Sequence, residues 1–374
     1  MAAIGVRVHG YAAAALLALA APLGILAALR RGPFAPDLHL LAALGGLTLL
    51  MQCILYWYLP SFAKREVSFE GMASYSGPIL FPATLVGAAL DMGALRVGLP
   101  AIGLGIFGAI LLLSPVVGRR WRSGVPFWRT PGPFQRGDRL SMMTLAAGAL
   151  WLLLCAWLGF TRPTMLALVW PIALLTLVLG ALAHYVPRGR GRAMLAAAYA
   201  LGACAFTLGA ALLVAERAGA AIPRGLPESL IAGLLVAGAA IAPPGAAKAA
   251  GARLGQAAPF LLAGSAAMAG AIVFSVSGRG IGFAFAAYYG LLAALALAVA
   301  GLSLLLLPVV FNERPDARGL WPSVGCALGG AALFAAGVLT RLPRWPGAAL
   351  LAISVLCWLA MMAPLRRPRR DCPV

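Results

Sequence analysis

Hydrophobic and polar positions occur along this chain in long blocks, with apolar runs separated by short, mostly basic loops. A hydrocarbon core about 30 Å thick needs about 20 apolar residues of helix to cross it. We predict a transmembrane helix over each of twelve runs: 11–29, 38–60, 76–95, 97–117, 140–160, 163–187, 193–214, 228–246, 257–276, 281–308, 320–341 and 345–365. The pattern therefore predicts an all-α, polytopic membrane bundle over residues 1–374, without a separate soluble domain.

The composition agrees with a membrane protein, because 62% of the residues are hydrophobic and only 10% are charged. Soluble domains carry about 25% charged residues. The net charge is +19, which in a soluble chain would indicate a nucleic-acid partner. Here the basic residues lie in loops between apolar runs, so the expected partner is a bilayer with anionic headgroups, and no nucleic acid.

The distribution of basic residues predicts the topology. With twelve spans and a cytoplasmic N-terminus, 20 of the 29 Lys and Arg residues fall on the cytoplasmic side and nine on the other. This bias predicts cytoplasmic N- and C-termini in an inner (cytoplasmic) membrane, with 118–139 as a cytoplasmic loop. Residues 18–20 resemble a signal-peptidase site, but the apolar run continues to Leu29, so we expect the first helix to be retained.

Polar side chains are rare within the predicted spans. Gln52 is the one strongly polar residue deep in a span, and Thr48 lies one turn before it; we expect the pair to bond a neighbouring helix, with a ligand as the alternative. Tyr288 and Tyr289 are interpreted as packing aromatics, with a cofactor pocket as the alternative. The small residues from Gly329 to Gly337 predict close helix packing. The six cysteines form no C-x-x-C pair and are interpreted as small hydrophobic residues.

Three prolines suggest an internal repeat. Pro60, Pro187 and Pro308 each end a predicted span that runs toward the cytoplasm, and they are 127 and 121 residues apart. These are the second, sixth and tenth predicted spans, so each is the fourth span after the previous one. The spacing predicts three four-helix arcs, with pseudo-repeats at about 1–117, 140–246 and 257–365.

Twelve helices in three sets of four resemble the plan of heme-copper oxidase subunit I and its nitric oxide reductase relatives, and the NnrS membrane proteins are similar. The segment "HLLAALGGLTLLMQCILYWYLP", from His39 to Pro60, resembles the second helix of that superfamily, with an outer histidine and an inner aromatic pair and proline. The resemblance implies that His39 is an axial ligand of one heme near the outer face. The alternative is an imidazole at the helix end beside Asp37, solvated by headgroups. A heme on His39 would need a sixth ligand other than histidine, for which Met165 is at about the right depth, or it would have an open site.

The chain departs from that superfamily at the binuclear centre. A copper and high-spin heme site needs several imidazoles at one depth, and the chain has three histidines in all. His184 falls at the inner end of its span, and His9 is expected to precede the first span. Oxygen or nitric oxide reduction at such a site is therefore not expected, and no catalytic or metal-ligating residue is assigned.

Three functions remain open from the sequence. The resemblance implies a respiratory, nitric-oxide or heme-related role beside respiratory-chain subunits, with one bound heme or none. The alternative is a secondary transporter of an apolar or weakly polar solute, since twelve spans and proline-interrupted helices are also typical of transporters. The third is a structural subunit without a ligand.

Overall fold

The computed structural model describes residues 2–29, 38–63, 144–158 (without 146, 149 and 156), 163–183, 193–230 (without 224 and 228), 252–278, 281–311, 315–340 and 342–363. All regular structure in these ranges is helical. The long helices are α1 (Ala2–Leu29), α2 (Leu38–Ala63), α3 (Pro163–Ala183), α4 (Ala193–Arg217), α5 (Ala252–Ser277), α6 (Ile281–Phe311), α7 (Leu320–Thr340) and α8 (Trp345–Met362). Further helical residues lie between 144 and 158.

Five helices of the described part are long and apolar enough to cross a bilayer. These segments are Val8–Leu29, Gln256–Ser277, Gly282–Leu307, Ala317–Thr340 and Trp345–Met362, and each has at least 18 residues, close to the length that a hydrocarbon core requires. The protein is therefore a helical membrane protein. The predicted spans 76–95 and 97–117 lie outside the described residues, as does almost all of 228–246.

Neighbouring helices pack as antiparallel hairpins, in which glycines set the closest approach. A β-carbon on Gly46 of α2 would lie 3.2 Å from the carbonyl oxygen of Ala13 in α1. A β-carbon on Gly264 of α5 would lie 3.2 Å from the carbonyl oxygen of Ala294 in α6. Small residues let helix backbones approach in this way inside a membrane, where packing takes over much of the role that the hydrophobic effect has in water.

The hairpin of α7 and α8 has the closest such contact. A β-carbon on Gly347 would lie 2.5 Å from the backbone nitrogen of Phe334 and 2.8 Å from the carbonyl oxygen of Gly330, so a larger residue would push the helices apart. Both glycines are buried. The prediction of close packing through the small residues from Gly329 to Gly337 is confirmed.

Helix α6 lies at the centre of the described bundle. It contacts α2, α3, α5 and α7, and its residues from Leu302 to Leu307 are buried. Helices α2 and α3 also contact each other, so α2, α3 and α6 meet pairwise. These three helices correspond to the predicted spans 38–60, 163–187 and 281–308. Pro187 and the side chains of Pro60 and Pro308 lie outside the described residues, and the repeat stays a prediction.

The first helix begins earlier than predicted. We expected a span starting at Tyr11 with His9 in front of it, but α1 already begins at Ala2. The side chain of His9 is completely buried, and a β-carbon on the adjacent Gly10 would lie 3.8 Å from Sγ of Cys53 in α2. His9 is therefore an interior residue, because the contact of α1 with α2 extends past the apolar run.

Candidate functional site

A cavity of about 220 Å³ opens among the helices of the described bundle. One water molecule needs about 10–15 Å³ of cavity volume, so the cavity has room for roughly fifteen water-sized groups. Its wall is built by α1, α2, α6, α7 and α8, with one residue of α5: Leu17, Ala20, Ala21, Gly24, Ala43, Leu44, Leu47, Leu50, Phe260, Tyr289, Leu292, Ala293, Ala296, Leu297, Ala300, Ser323, Ala327, Ala331, Phe334, Ala348, Leu351, Ala352, Ser354, Val355 and Trp358.

Alanines leave the space open. On α6 the cavity is lined by Ala293, Ala296 and Ala300, which are three and four residues apart and therefore share one helix face. Ala327 and Ala331 of α7 line it in the same way. A methyl group reaches only a short distance from the backbone, so side chains at these positions do not meet across the gap.

Aromatic side chains close one end of the cavity. The ring centroids of Tyr289 in α6 and Phe334 in α7 are 4.6 Å apart, and Tyr288 packs edge-on against Tyr289 at 5.9 Å. The prediction that these tyrosines pack with other aromatics is confirmed, and Tyr289 in addition lines the cavity. The lining residues of α6 extend from here to Ala300, a distance of about 16 Å at 1.5 Å per residue.

The other end of the cavity carries a pair of serines that link α7 and α8. Ser323 Oγ donates to the carbonyl oxygen of Ser354 at 2.9 Å, and Ser354 Oγ donates to that of Ser323 at 2.7 Å. The two hydroxyl oxygens are 3.3 Å apart. Both serines are buried, so neither bond faces competition from bulk water, and together they fix the register of the hairpin.

Trp358 lies one turn beyond Ser354 on α8 and also lines the cavity. Its side chain is only 7% exposed, and its indole N–H has no hydrogen-bond acceptor among the described residues. An indole nitrogen can only donate, and buried indoles usually have a partner. The indole nitrogen is enclosed by protein atoms, so other atoms of the Trp358 side chain line the cavity.

The chemistry of the lining selects against charged molecules. Among the described residues that line the cavity there is no Asp, Glu, Lys, Arg or His. Moving an ion into such surroundings without a counter-charge is costly. The cavity suits an apolar or weakly polar molecule.

A second internal polar contact joins α2 to α3. Trp170 Nε1 donates to Thr48 Oγ1 at 2.8 Å, and Thr48 Oγ1 in turn donates to the carbonyl oxygen of Leu44 at 2.7 Å. We expected Gln52 and Thr48 together to bond a neighbouring helix. Thr48 does so, whereas the side-chain oxygen of Gln52, 4% exposed as a residue, has no partner among the described residues.

The two predicted heme ligands lie at the beginnings of neighbouring helices. His39 is the second residue of α2 and Met165 the third of α3, and these helices contact each other. From the Thr48–Trp170 bond, His39 is about 13 Å away along α2 and Met165 about 7 Å away along α3, at 1.5 Å per residue. Both side chains lie outside the described residues, so their pairing stays a prediction. His184 is also outside them.

Sequence reasoning missed Trp170, Ser323, Ser354 and Trp358. A four-residue spacing places Ser354 and Trp358 on the same face of α8, which is a weak signal in a helix that is apolar all round. Cys53 and Cys155 are buried as expected of small hydrophobic residues, whereas Cys204 is exposed.

No protein-family model matches the sequence, and no curated protein is significantly similar to it.

Proposed function

We propose that this protein binds an apolar or weakly polar solute between its membrane helices and acts as a secondary transporter of that solute. The observation that supports this best is the cavity of about 220 Å³, whose lining has no ionic side chain within the described part of the chain. Binding sites for small molecules are typically concave and mostly apolar, and are often built between the helices of a bundle. A solute that reaches the site from the hydrocarbon layer would be uncharged, so its binding would not require a counter-charge from the protein.

The proposed arrangement in the membrane follows the sequence pattern. We propose twelve spans with both termini in the cytoplasm, in an inner (cytoplasmic) membrane, because 20 of 29 basic residues fall on one side of that arrangement. The basic loops would contact anionic headgroups.

A photo-crosslinking experiment tests the binding site. Purified protein in lipid nanodiscs is exposed to an alkyl chain carrying a diazirine, and labelled peptides are mapped by mass spectrometry. We expect labels on the cavity segments of α6, α7 and α8. Ala331→Phe should remove most of the labelling, because Ala331 lines the cavity.

The adjacent Ala332 provides the matched control. Ala332 is exposed on the other side of α7 and does not line the cavity, so Ala332→Phe should leave the labelling pattern intact. Equal labelling in the wild type and in both variants would contradict the proposal and favour a structural subunit.

A second candidate, a heme-copper-oxidase-like or NnrS-like protein with one heme and a role beside respiratory-chain subunits, has separate support. Helices α2, α3 and α6 meet pairwise, and these are the spans that occupy the same place in each proposed four-helix arc. In this candidate His39 and Met165 would hold the heme, which supplies an iron centre for electron transfer or gas binding.

Visible spectroscopy tests this candidate. Protein made with an ample supply of heme should show a Soret band that disappears in His39→Ala and persists in His9→Ala. A colourless wild-type protein would contradict the heme proposal and leave the solute proposal unaffected.

A further inference from the structure

The cavity is surrounded by a closed ring of five helices. Helix α1 contacts α2 and α8, helix α6 contacts α2 and α7, and helix α7 contacts α8, so each of the five contacts two others. All five contribute residues to the cavity wall. Because neighbouring helices of the ring are antiparallel, the space between them follows the direction of the helices.

Three helices give nearly the same length for the cavity. The lining residues fall within 289–300 on α6 and within 323–334 on α7, and either interval covers about 16 Å at 1.5 Å per residue. The lining residues of α8 fall within 348–358, which is about 15 Å. The cavity therefore extends about half the thickness of a hydrocarbon core.

The volume of the cavity is small for this length. It is about 220 Å³, whereas an apolar cavity of about 150 Å³ already binds a molecule as compact as benzene. The additional volume is modest, but it is distributed over a length of about 16 Å. An occupant that reaches both ends of the cavity must therefore be thin.

The middle of the cavity is open. Ala296 of α6 lies near the middle of its length, and among the described residues that line the cavity it is the exposed one, the others being buried or half-buried. Space therefore lies against the methyl group of Ala296. This position indicates one continuous cavity between the serine pair and the aromatic end, and not two separate pockets.

We propose that the cavity selects a single unbranched alkyl chain, which lies along the helices from the serine pair toward Tyr289 and Phe334. This inference rests on the proposed solute-binding function and adds the shape of the substrate class. A straight chain contacts the wall over its whole length, whereas a compact molecule of the same carbon number leaves part of the wall without dispersion contacts. The chain belongs to a free long-chain solute or to the tail of a membrane lipid, and its recognition is the same in both cases.

Competition against the photoreactive alkyl probe tests this selectivity. The protein is placed in nanodiscs of diphytanoyl phospholipid, whose tails are branched, and decane or adamantane is added at matched concentrations in the membrane. These two hydrocarbons have the same number of carbon atoms. We expect decane to halve the labelling of the cavity segments at a concentration about 5-fold lower than adamantane, or lower still, because it makes more contacts with the wall.

A substitution in the middle of the cavity provides the second readout. Hexane should compete less well than decane in the wild type, because it reaches only part of the wall. Ala296→Leu should remove this advantage of decane, since the larger side chain divides the cavity. Ala284→Leu is the control and should retain the advantage, because Ala284 is exposed on the same helix and does not line the cavity.

The outcomes separate the two proposals. If decane and adamantane compete equally in the wild type, the straight-chain inference is wrong and the apolar site remains, whether or not Ala296→Leu folds. If no hydrocarbon reduces the labelling of the cavity segments, the solute-binding function fails as well. Addition of a straight-tailed phospholipid distinguishes the sources, because competition by this lipid identifies a lipid tail and competition by decane alone identifies a free solute.

Discussion

Around the middle of α3, Val169, Ile172 and Leu174 are completely buried, whereas on the neighbouring helix α6 Ala296 is exposed at the middle of its helix. Both regions are apolar, and both belong to helices of the same bundle. In the first region large branched side chains fill the space between helices. In the second, alanines face one another between aromatic ends and leave a cavity of about 220 Å³.

The difference shows what decides packing inside a bilayer. Lipid tails are as apolar as leucine, so hydrophobicity alone does little to drive helices together. Dispersion contacts and a few hydrogen bonds hold the helices together instead. Glycine brings backbones together, as at Gly330 and Gly347, but alanine between larger spacers leaves the helices apart. Side-chain volume at facing positions therefore separates a packed core from an open cavity.

The largest expected effect concerns the packed region. Trp170 is 1% exposed and donates to Thr48, so Trp170→Ala should lower the free energy of unfolding by about 3–5 kcal/mol. Titration of the folded fraction with a denaturing detergent measures this change. Trp321→Ala, at a site 69% exposed, should stay within about 0.5 kcal/mol of the wild type. Equal losses of unfolding free energy in Trp170→Ala and Trp321→Ala would contradict the view that the region around Trp170 is a tightly packed core.

One substitution placed in both regions gives the sharpest contrast. Ala173 of α3 is completely buried, and Ala173→Phe should destabilise the protein by about 1–3 kcal/mol through overpacking. Ala331→Phe places the same ring in the cavity and should leave the stability nearly unchanged. The two variants are compared by the same detergent titration. A comparable loss in Ala331→Phe would show that the cavity is already filled by protein.

The smallest effect concerns the bond between α2 and α3. Thr48→Val removes the acceptor of the Trp170 indole and should cost about 0.6 kcal/mol, the average of measured hydrogen bonds between membrane helices. Thr176→Val is a matched control, because Thr176 bonds only to the carbonyl oxygen of Ile172 in its own helix. A double-mutant cycle with Trp170→Phe measures the coupling directly. Zero coupling would show that packing alone joins the two helices.

Helix positions were the most predictable part of the structure. The predicted spans 38–60 and 320–341 agree with α2 and α7 to within three residues, because a run of apolar residues ends where loops begin. The beginning of α1 was missed by nine residues, because Arg7 and His9 interrupt the apolar run. An interior contact with α2 accommodates His9, and no property of the run itself reveals that contact.

The cavity and its polar end were not predictable in the same way. Each span is apolar on all faces, so the sequence does not show which face meets which neighbour. The bond between Trp170 and Thr48, 122 residues apart, depends on how the two helices are rotated about their axes. The cavity depends on the summed volume of side chains from six helices, and no single stretch of sequence contains that quantity.

The reciprocal bonds between Ser323 and Ser354 have a mechanical consequence. A slide of α8 along α7 by one turn would break both bonds together and leave two buried hydroxyl groups without these acceptors in an oily interior. We therefore expect the two helices to move together. If the protein transports a solute as proposed, its entry and exit would depend on motion of α1, α2 or α6 against this helix pair, and a disulfide joining α7 to α8 would not prevent that motion.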